Sequence, residues 1–321
     1  CSHLSGQIME LSGNGASGQG GNQLTTGVLW IRECDTREVS PEVLEVTVSG
    51  IGWRWLSRSP EQAGAEFEID ENIRFSTTIS MQGTFDMAYD PQNHIATLWF
   101  VPVEPVEVEF RLTGNIQVET EGLWSSIVGG AASIFGQSPE QRAEERIRQE
   151  SVRSFRSRLS RGMTVIFDLC TGQRYVRLGD YAAGAVPAPA VSPQGRRFLV
   201  DNRARMYNSS MLLAGQFEPG ESPLVAEITS VSGGPLIAYW VCRDDAERIA
   251  DNYMQDNNVS QIAAVAQQIV QPGKTVQLRA SQADCPLVLI TRPAEGASLP
   301  VTFEYIAYRE GEEQEPIVEC N

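Results

Sequence analysis

The chain has 321 residues, of which 41% are hydrophobic, and a formal net charge of −16. This length is sufficient for two domains that each have a core. The strong negative charge excludes a nucleic-acid-binding role, because phosphate recognition needs a positive surface. No apolar run in the sequence is long enough to cross a bilayer as a helix.

The sequence starts at Cys1 and continues through a segment rich in glycine, serine, asparagine and glutamine, residues 5–27. This composition predicts a flexible tether over residues 1–27. Cys1, the small polar Ser2 and the tether together resemble the start of a mature bacterial lipoprotein. The resemblance is limited to these residues and implies acylation of the Cys1 thiol. It also implies a bacterial envelope protein that is anchored by its acyl chains to the outer membrane and faces the periplasm or the cell surface. The alternative is an ordinary secreted chain that begins at a cysteine.

Strand patterns and one helix pattern follow the tether. The predicted strands are Val28–Ile31, Leu44–Val48, Ile73–Ser80, Ile95–Val101, Val106–Leu112, Met163–Leu169 and Arg174–Leu178. Tyr89–Asn93 predicts a turn. Ser138 as a cap and Pro139 at the first helical position predict a helix that ends at Gly162. Residues 28–180 are therefore predicted to form an antiparallel sheet that carries a long helix.

Residues 181–194 are rich in alanine and proline, which predicts an extended linker. Short strand patterns with Pro-Gly turns follow, and residues 244–269 have a helical composition. Residues 195–317 are predicted to form a β-sandwich with a helical insertion, and residues 318–321 a tail. The predicted fold class is mainly β, α+β overall: an N-terminal antiparallel sheet with a long helix, then a C-terminal β-sandwich.

Six cysteines are spread along the chain: Cys1, Cys34, Cys170, Cys242, Cys285 and Cys320. An exported protein is free to form disulfides. Cys242 and Cys285 border strand patterns of the C-terminal half and are the preferred pair. Cys34 and Cys170 border strand patterns of the N-terminal half and form the second predicted pair, which leaves Cys320 free or bonded to another chain.

Motifs for catalysis or metal binding are absent from the sequence. The two histidines are His3, in the tether, and His94, beside the predicted turn. There is no Gly-x-Ser-x-Gly elbow, no zincin motif and no phosphate-binding loop, and no cysteine–histidine spacing fits a metal. The sequence therefore predicts a protein that is not an enzyme, with no catalytic residues, no metal and no cofactor.

Two segments are candidates for binding a partner. The predicted helix is rich in arginine within an acidic chain, and Arg153, Arg156 and Arg161 are candidates for docking an acidic neighbour. Ion pairing along a solvated helix face is the structural alternative. Leu123 and Trp124 open an apolar, small-residue segment that predicts either a subunit contact or close packing against the helix.

These features support one leading hypothesis and two alternatives. The leading hypothesis is a lipid-anchored structural or adaptor subunit of a larger envelope or cell-surface assembly, with other protein subunits as partners. The first alternative is a lipid or hydrophobic-ligand binder, with a cup lined by Leu123, Ile127 and Phe155. The second is a surface carbohydrate-binding module that uses Trp53 and Trp55 as stacking platforms.

Overall fold

The computed structural model describes residues 1, 4–12, 24–58, 61–62, 65–66, 69–92, 94–113, 117–120, 139–169, 174–178, 200–207, 209–220, 222–256, 262–281 and 283–310. The strands are β1 (Ile8–Ser12), β2 (Leu24–Ser40), β3 (Val43–Arg58), β4 (Glu61–Gln62), β5 (Ala65–Glu66), β6 (Ile69–Asp90), β7 (Ile95–Pro102), β8 (Glu107–Leu112), β9 (Gln117–Thr120), β10 (Met163–Asp168), β11 (Arg174–Leu178), β12 (Val200–Met206), β13 (Leu212–Phe217), β14 (Leu224–Ser232), β15 (Leu236–Cys242), β16 (Ala266–Val270), β17 (Thr275–Ala280), β18 (Leu287–Pro293) and β19 (Val301–Arg309). The helices are α1 (Pro139–Leu159) and α2 (Arg243–Asp256).

A thirteen-stranded sheet forms the main layer, in the order β11-β10-β7-β6-β3-β2-β12-β19-β14-β17. That order contains ten of the thirteen strands; the other three lie beside it, with β1 paired to β2 and both β8 and β9 paired to β6. A four-stranded sheet, β13-β18-β15-β16, forms the second layer, and β4 and β5 pair with each other. The described part of the chain is mostly β, as the recurring strand patterns predict.

One continuous sheet contains strands from both the predicted N-terminal sheet and the predicted C-terminal sandwich. Strand β2 pairs in parallel with β12, with Leu24 opposite Arg203 and Thr25 opposite Ala204. The N-terminal sheet and one layer of the predicted sandwich are therefore the same sheet. A short parallel junction between distant segments leaves no pattern in the sequence, so the sequence did not predict that they share a sheet. The predicted linker, residues 181–194, lies outside the described residues, as does the tail.

The predicted fold class is wrong because, among the residues that the structure describes, no long helix covers the N-terminal sheet. Only residues 151–159 of α1 contribute described side chains to the core, through Val152, Phe155 and Leu159. The Phe155 ring lies 5.9 Å from that of Phe75 on β6. The described side chains nearer the start of α1, such as Arg148, are exposed. The physical reason is composition, because ten of the 21 residues of this helix are arginine or glutamate and the larger apolar residues Val152, Phe155 and Leu159 lie in its second half.

The main sheet separates two cores. On one face, Trp53 and Trp55 of β3 are fully buried in a core that includes Trp240 of the second sheet and Phe303 of β19. On the other face, Phe75 and its neighbours on β6 pack with the end of α1. Both faces of the central strands are therefore covered over most of their length.

Side chains of β3 and β6 form hydrogen bonds that connect the N-terminal half of the chain to the C-terminal half. The indole of Trp53 donates to the carbonyl of Met211, and that of Trp55 donates to the carbonyl of Arg205. Arg74 on β6 donates to the carbonyl of Tyr253 at 2.9 Å, at the last turn of α2. A guanidinium at this position stabilises a helix C-terminus, where the carbonyls carry partial negative charge.

The predicted tether contains ordered strands at both of its ends. Strand β1 pairs with β2, and Met9 and Leu11 are buried in the core beneath α1. The prediction that residues 1–27 are a flexible tether is therefore wrong for residues 8–12 and 24–27. The glycine-rich part, residues 13–21, lies outside the described residues.

Candidate interaction surface

Two disulfides involve four of the cysteines. Cys242 and Cys285 are bonded, with Cα atoms 5.7 Å apart, which confirms the preferred pair. Cys1 is bonded to Cys34, so the predicted Cys34–Cys170 pair is wrong. Cys170 and Cys320 lie outside the described residues.

The Cys1–Cys34 bond also bears on the predicted acylation of Cys1. A sulfur in a disulfide has no free valence for a thioether, so the bond and the lipid exclude each other. Burial of Leu4 and the pairing of β1 with β2 place the two cysteines together. In the structure Cys1 is linked to Cys34 of β2, and acylation of Cys1 stays a prediction that this link would have to give way to.

Arg156 of the predicted arginine surface has an internal role. Arg153 and Arg156 are exposed on α1, and Arg161 is exposed just beyond its end. The Arg156 Nε donates to the carbonyl of Val106 at 3.1 Å, which holds the helix against the segment before β8. Leu123 and Trp124 lie outside the described residues. Nothing in the described contacts gathers these five residues into one surface.

Helix α1 also carries an ion pair on its solvated face, which is the predicted alternative to a docking surface. Arg148 and Glu145 form a bidentate pair at 2.7 and 2.9 Å. Hydrogen bonds from Arg148 lower the pKa of the exposed Glu145 carboxyl. Such a pair is typical of a solvated helix face and does not indicate a binding site.

Three of the aromatic residues that the sequence offered for ligands, Trp53, Trp55 and Phe155, are buried. Trp53 and Trp55 have no exposed surface, so neither presents a face to a sugar. Phe155 packs against Phe75 and Phe110 in the core, where its ring lies 6.3 Å from that of Phe110. Ile127, the third residue of the predicted cup, lies outside the described residues.

A stripe of large apolar side chains is exposed on the hairpin formed by β6 and β7. Phe85, Met87 and Tyr89 are 55%, 69% and 52% exposed. They occupy alternate positions of β6, so their side chains project from the same face of the sheet. Phe75, on that same face, is buried beside α1. We call Phe85, Met87 and Tyr89 the β6 stripe.

The backbone of this part of β6 has one open edge within the described chain. Strand β3 pairs with β6 only as far as Gly83, opposite Leu44, whereas β7 pairs with β6 through Asp90. The carbonyl of Gln82 accepts from the amide of Val103, so even-numbered residues of β6 direct their backbone groups toward the β7 side. Because these directions alternate along a strand, the residues of the β6 stripe direct theirs toward the open edge.

Asp86 shields this edge. Its carboxylate accepts a hydrogen bond from the backbone amide of Met87 at 2.8 Å. Charged side chains on an edge strand suppress uncontrolled pairing with other strands. The local sequence therefore combines an apolar face, which favours association, with a negative charge that restricts what can associate.

The turn of the hairpin positions Tyr89. The turn between β6 and β7 follows Asp90, whose carboxylate accepts from the amide of Gln92 at 2.9 Å. His94 has a left-handed backbone, with φ of 52°, and its Nδ1 lies 3.3 Å from the Tyr89 hydroxyl. The histidine thus has a structural contact at the turn.

A partly buried acid lies elsewhere, at the junction of the two halves of the main sheet. One oxygen of Glu10 accepts from Thr25 at 2.9 Å and from both Asn202 and Tyr305 at 2.6 Å. Desolvation raises the pKa of Glu10 in spite of these hydrogen bonds, which act in the opposite direction. The donors occupy this carboxylate oxygen and join β1 to β2, β12 and β19, which is a structural role.

The described part of the chain offers neither a metal cluster nor a membrane-spanning helix. Its histidine, cysteine, aspartate and glutamate side chains form no group of three or more able to hold a metal. None of its helices combines the length and the apolar character needed to cross a membrane.

The sequence missed the β6 stripe. The alternation from Phe85 to Tyr89 predicts a strand with one apolar face, and such a face is ordinarily buried. The alternation shows that these three side chains share a face. Whether another part of the chain covers that face depends on the tertiary structure alone.

No family model and no curated protein matches the chain. Among solved structures, it is similar to a glycoside hydrolase family 43 arabinoxylan arabinofuranohydrolase from Bacillus subtilis in complex with cellotetraose. The identity is 9% and the TM-score 0.21, over 87% of this chain and 67% of that one. A second likeness, to a multidomain structure of Extended-Synaptotagmin 2 that includes its SMP domain, has 8% identity and a TM-score of 0.15, over 87% of this chain and 57% of that one. At these TM-scores neither likeness carries an argument about function.

Proposed function

We propose that the protein is a non-enzymatic adaptor subunit of a larger assembly and that the β6 stripe is a contact with a partner protein. The observation that supports this is the exposure of three large apolar side chains at consecutive outward positions of one strand. Contiguous exposed apolar surface of this kind is typical of interaction sites, whereas single exposed apolar residues are ordinary.

The disulfides support an oxidising location. Both described bonds join residues far apart in sequence, with separations of 33 and 43 residues. Bonds of this kind persist in exported proteins and are rare in the reducing cytosol. A cell envelope or cell surface is therefore the proposed site of the assembly, and the proposal does not include a lipid on Cys1.

The energy available from the stripe is modest. Full burial of a Phe or Met side chain stabilises by about 1.5–3 kcal/mol, and these side chains are roughly half exposed at present. Covering all three therefore contributes roughly 3–4 kcal/mol. Association costs about 4–15 kcal/mol in lost translational and rotational freedom. Burial of the stripe alone is therefore too weak for stable association, and the contact with the partner needs further interactions.

The experiment places a photo-crosslinking amino acid at Met87 in the native host and, as a matched control, at Ile269. Ile269 is 54% exposed and lies on β16 of the second sheet, away from the stripe. We expect a discrete crosslinked adduct from position 87 and none from position 269. Mass spectrometry of the adduct identifies the neighbour.

A substitution series separates assembly from folding. Phe85→Ser, Met87→Ser and Tyr89→Ser combined should reduce the native assembly to the free chain with little change in melting temperature, because these side chains are exposed. The control combines Val231→Ser, Val265→Ser and Ile269→Ser, which remove apolar surface of 42%, 44% and 54% exposure elsewhere. If both triple variants assemble like the wild type, the stripe is not the contact and the proposal fails.

A further inference from the structure

We infer that the partner joins this surface as an extended strand with alternating apolar and basic residues, which adds to the open edge of β6 at residues 84–90. This inference rests on the proposed function and specifies the chemistry of its partner. It is carried by the backbone geometry of the edge, by the β6 stripe and by the charge of Asp86.

The backbone geometry fits strand addition. Beyond Gly83 no described strand pairs with β6 on the β3 side, while β7 pairs with the opposite side of β6 through Asp90. Phe85, Met87 and Tyr89 direct their amide and carbonyl groups toward the β3 side. An incoming strand therefore finds a preformed ladder along seven residues, about 23 Å long at the usual rise per residue.

The side chains specify the alternation. The stripe lies on one face of the sheet, and Asp86 lies between Phe85 and Met87 on the opposite face. Side chains of neighbouring strands that share a face lie beside each other. An incoming strand thus places one set of alternate residues beside the apolar stripe and the other set beside the Asp86 carboxylate.

The charge of Asp86 favours basic residues in the second set. The backbone amide of Met87 donates to the Asp86 carboxylate. A strand that adds to this edge accepts the hydrogen bond from that amide in place of Asp86. The displaced carboxylate then needs a new partner, and a lysine or arginine of the incoming strand supplies one. Strand addition and charge pairing are therefore coupled at one residue.

A second copy of this chain fits the same edge less well. In an antiparallel pairing about Met87, the two Asp86 side chains become diagonal neighbours, roughly 7–8 Å apart. Each copy also has a net charge of −16. Both features oppose self-association, so we commit to a basic partner strand.

The experiment uses fluorescein-labelled heptapeptides as probes. One alternates lysine and valine, a second alternates glutamate and valine, and a third is the lysine peptide with N-methylated valines, which cannot complete a hydrogen-bonded ladder. Fluorescence anisotropy with the full chain should show binding of the lysine peptide at least tenfold tighter than that of either other peptide. Equal affinity of the lysine and glutamate peptides, or no loss on N-methylation, would overturn the inference.

Protein variants test the same steps independently. Met87→Pro removes one amide that faces the open edge and retains Phe85 and Tyr89, so it should weaken the lysine peptide at least tenfold. Asp86→Asn keeps an oxygen acceptor but removes the charge, and it should shrink the preference for lysine over glutamate. Circular dichroism checks that both variants keep the fold, and the N-methylated peptide tests the ladder without any change to the protein.

Two results distinguish failure of this inference from failure of the proposed function. If the triple serine variant loses assembly while Met87→Pro assembles normally, the stripe is a contact but no strand is added. If sedimentation shows a wild-type dimer that Met87→Pro abolishes, the occupant is a second copy, and the choice of a basic partner is wrong.

Discussion

The indole of Trp53 offers a sharp test of how the two halves of the chain are joined. Trp53→Phe removes the hydrogen bond from β3 to the carbonyl of Met211. Trp30→Phe is the matched control, because Trp30 is equally buried and its indole nitrogen has no hydrogen-bond partner among the described residues. The two substitutions remove the same atoms from the same core.

The expected difference in the free energy of unfolding follows from comparing these two variants. Each substitution removes packing atoms, which costs about 2 kcal/mol at roughly 0.8 kcal/mol per buried methylene equivalent. Trp53→Phe also deprives the Met211 carbonyl of this donor, at a further cost of about 1–3 kcal/mol. Trp30→Phe instead deletes an unpaired buried donor, which offsets its packing loss by a similar amount, about 1–3 kcal/mol. Trp53→Phe should therefore cost roughly 2–6 kcal/mol more than Trp30→Phe.

Equilibrium urea unfolding, followed by tryptophan fluorescence and by far-ultraviolet circular dichroism, measures both costs. Arg32 stacks 4.3 Å from the centre of the Trp30 ring, and phenylalanine keeps a ring face for that contact. Because β2 pairs with β12, we expect both probes to report one shared transition. Equal costs for the two variants would refute the argument from the indole bond, and two separate transitions would refute the shared core.

Three further predictions concern covalent links and a buried acid. Cys242→Ser with Cys285→Ser should lower the free energy of unfolding by up to about 4 kcal/mol, the chain entropy of a 43-residue separation, and urea unfolding that shows no loss would contradict it. Non-reducing peptide mapping of the native protein should recover Cys1 joined to Cys34, whereas an acylated Cys1 peptide would show that the bond does not form. The raised pKa of Glu10 means that the folded state holds this proton more tightly, so stability should fall as pH rises from the ordinary carboxyl range through the raised value. Glu10→Gln should flatten that part of the curve in urea unfolding across pH, and an unchanged curve would count against it.

The sequence alone determined the features that depend on neighbouring residues. The strand-rich composition and the turn after Tyr89 follow from alternation and turn chemistry. Each of these patterns lies within a few residues of the feature that it predicts.

Only the tertiary structure decided which faces and edges are covered. Phe75 and Phe85 lie on the same face of the same strand, yet one is buried beside α1 and the other is exposed. The pairing of Leu24 with Arg203 and the bond from Cys1 to Cys34 likewise join segments distant in sequence. Local pattern sets which side chains share a face, but burial depends on what the rest of the chain places over that face, and no local pattern encodes where that covering ends.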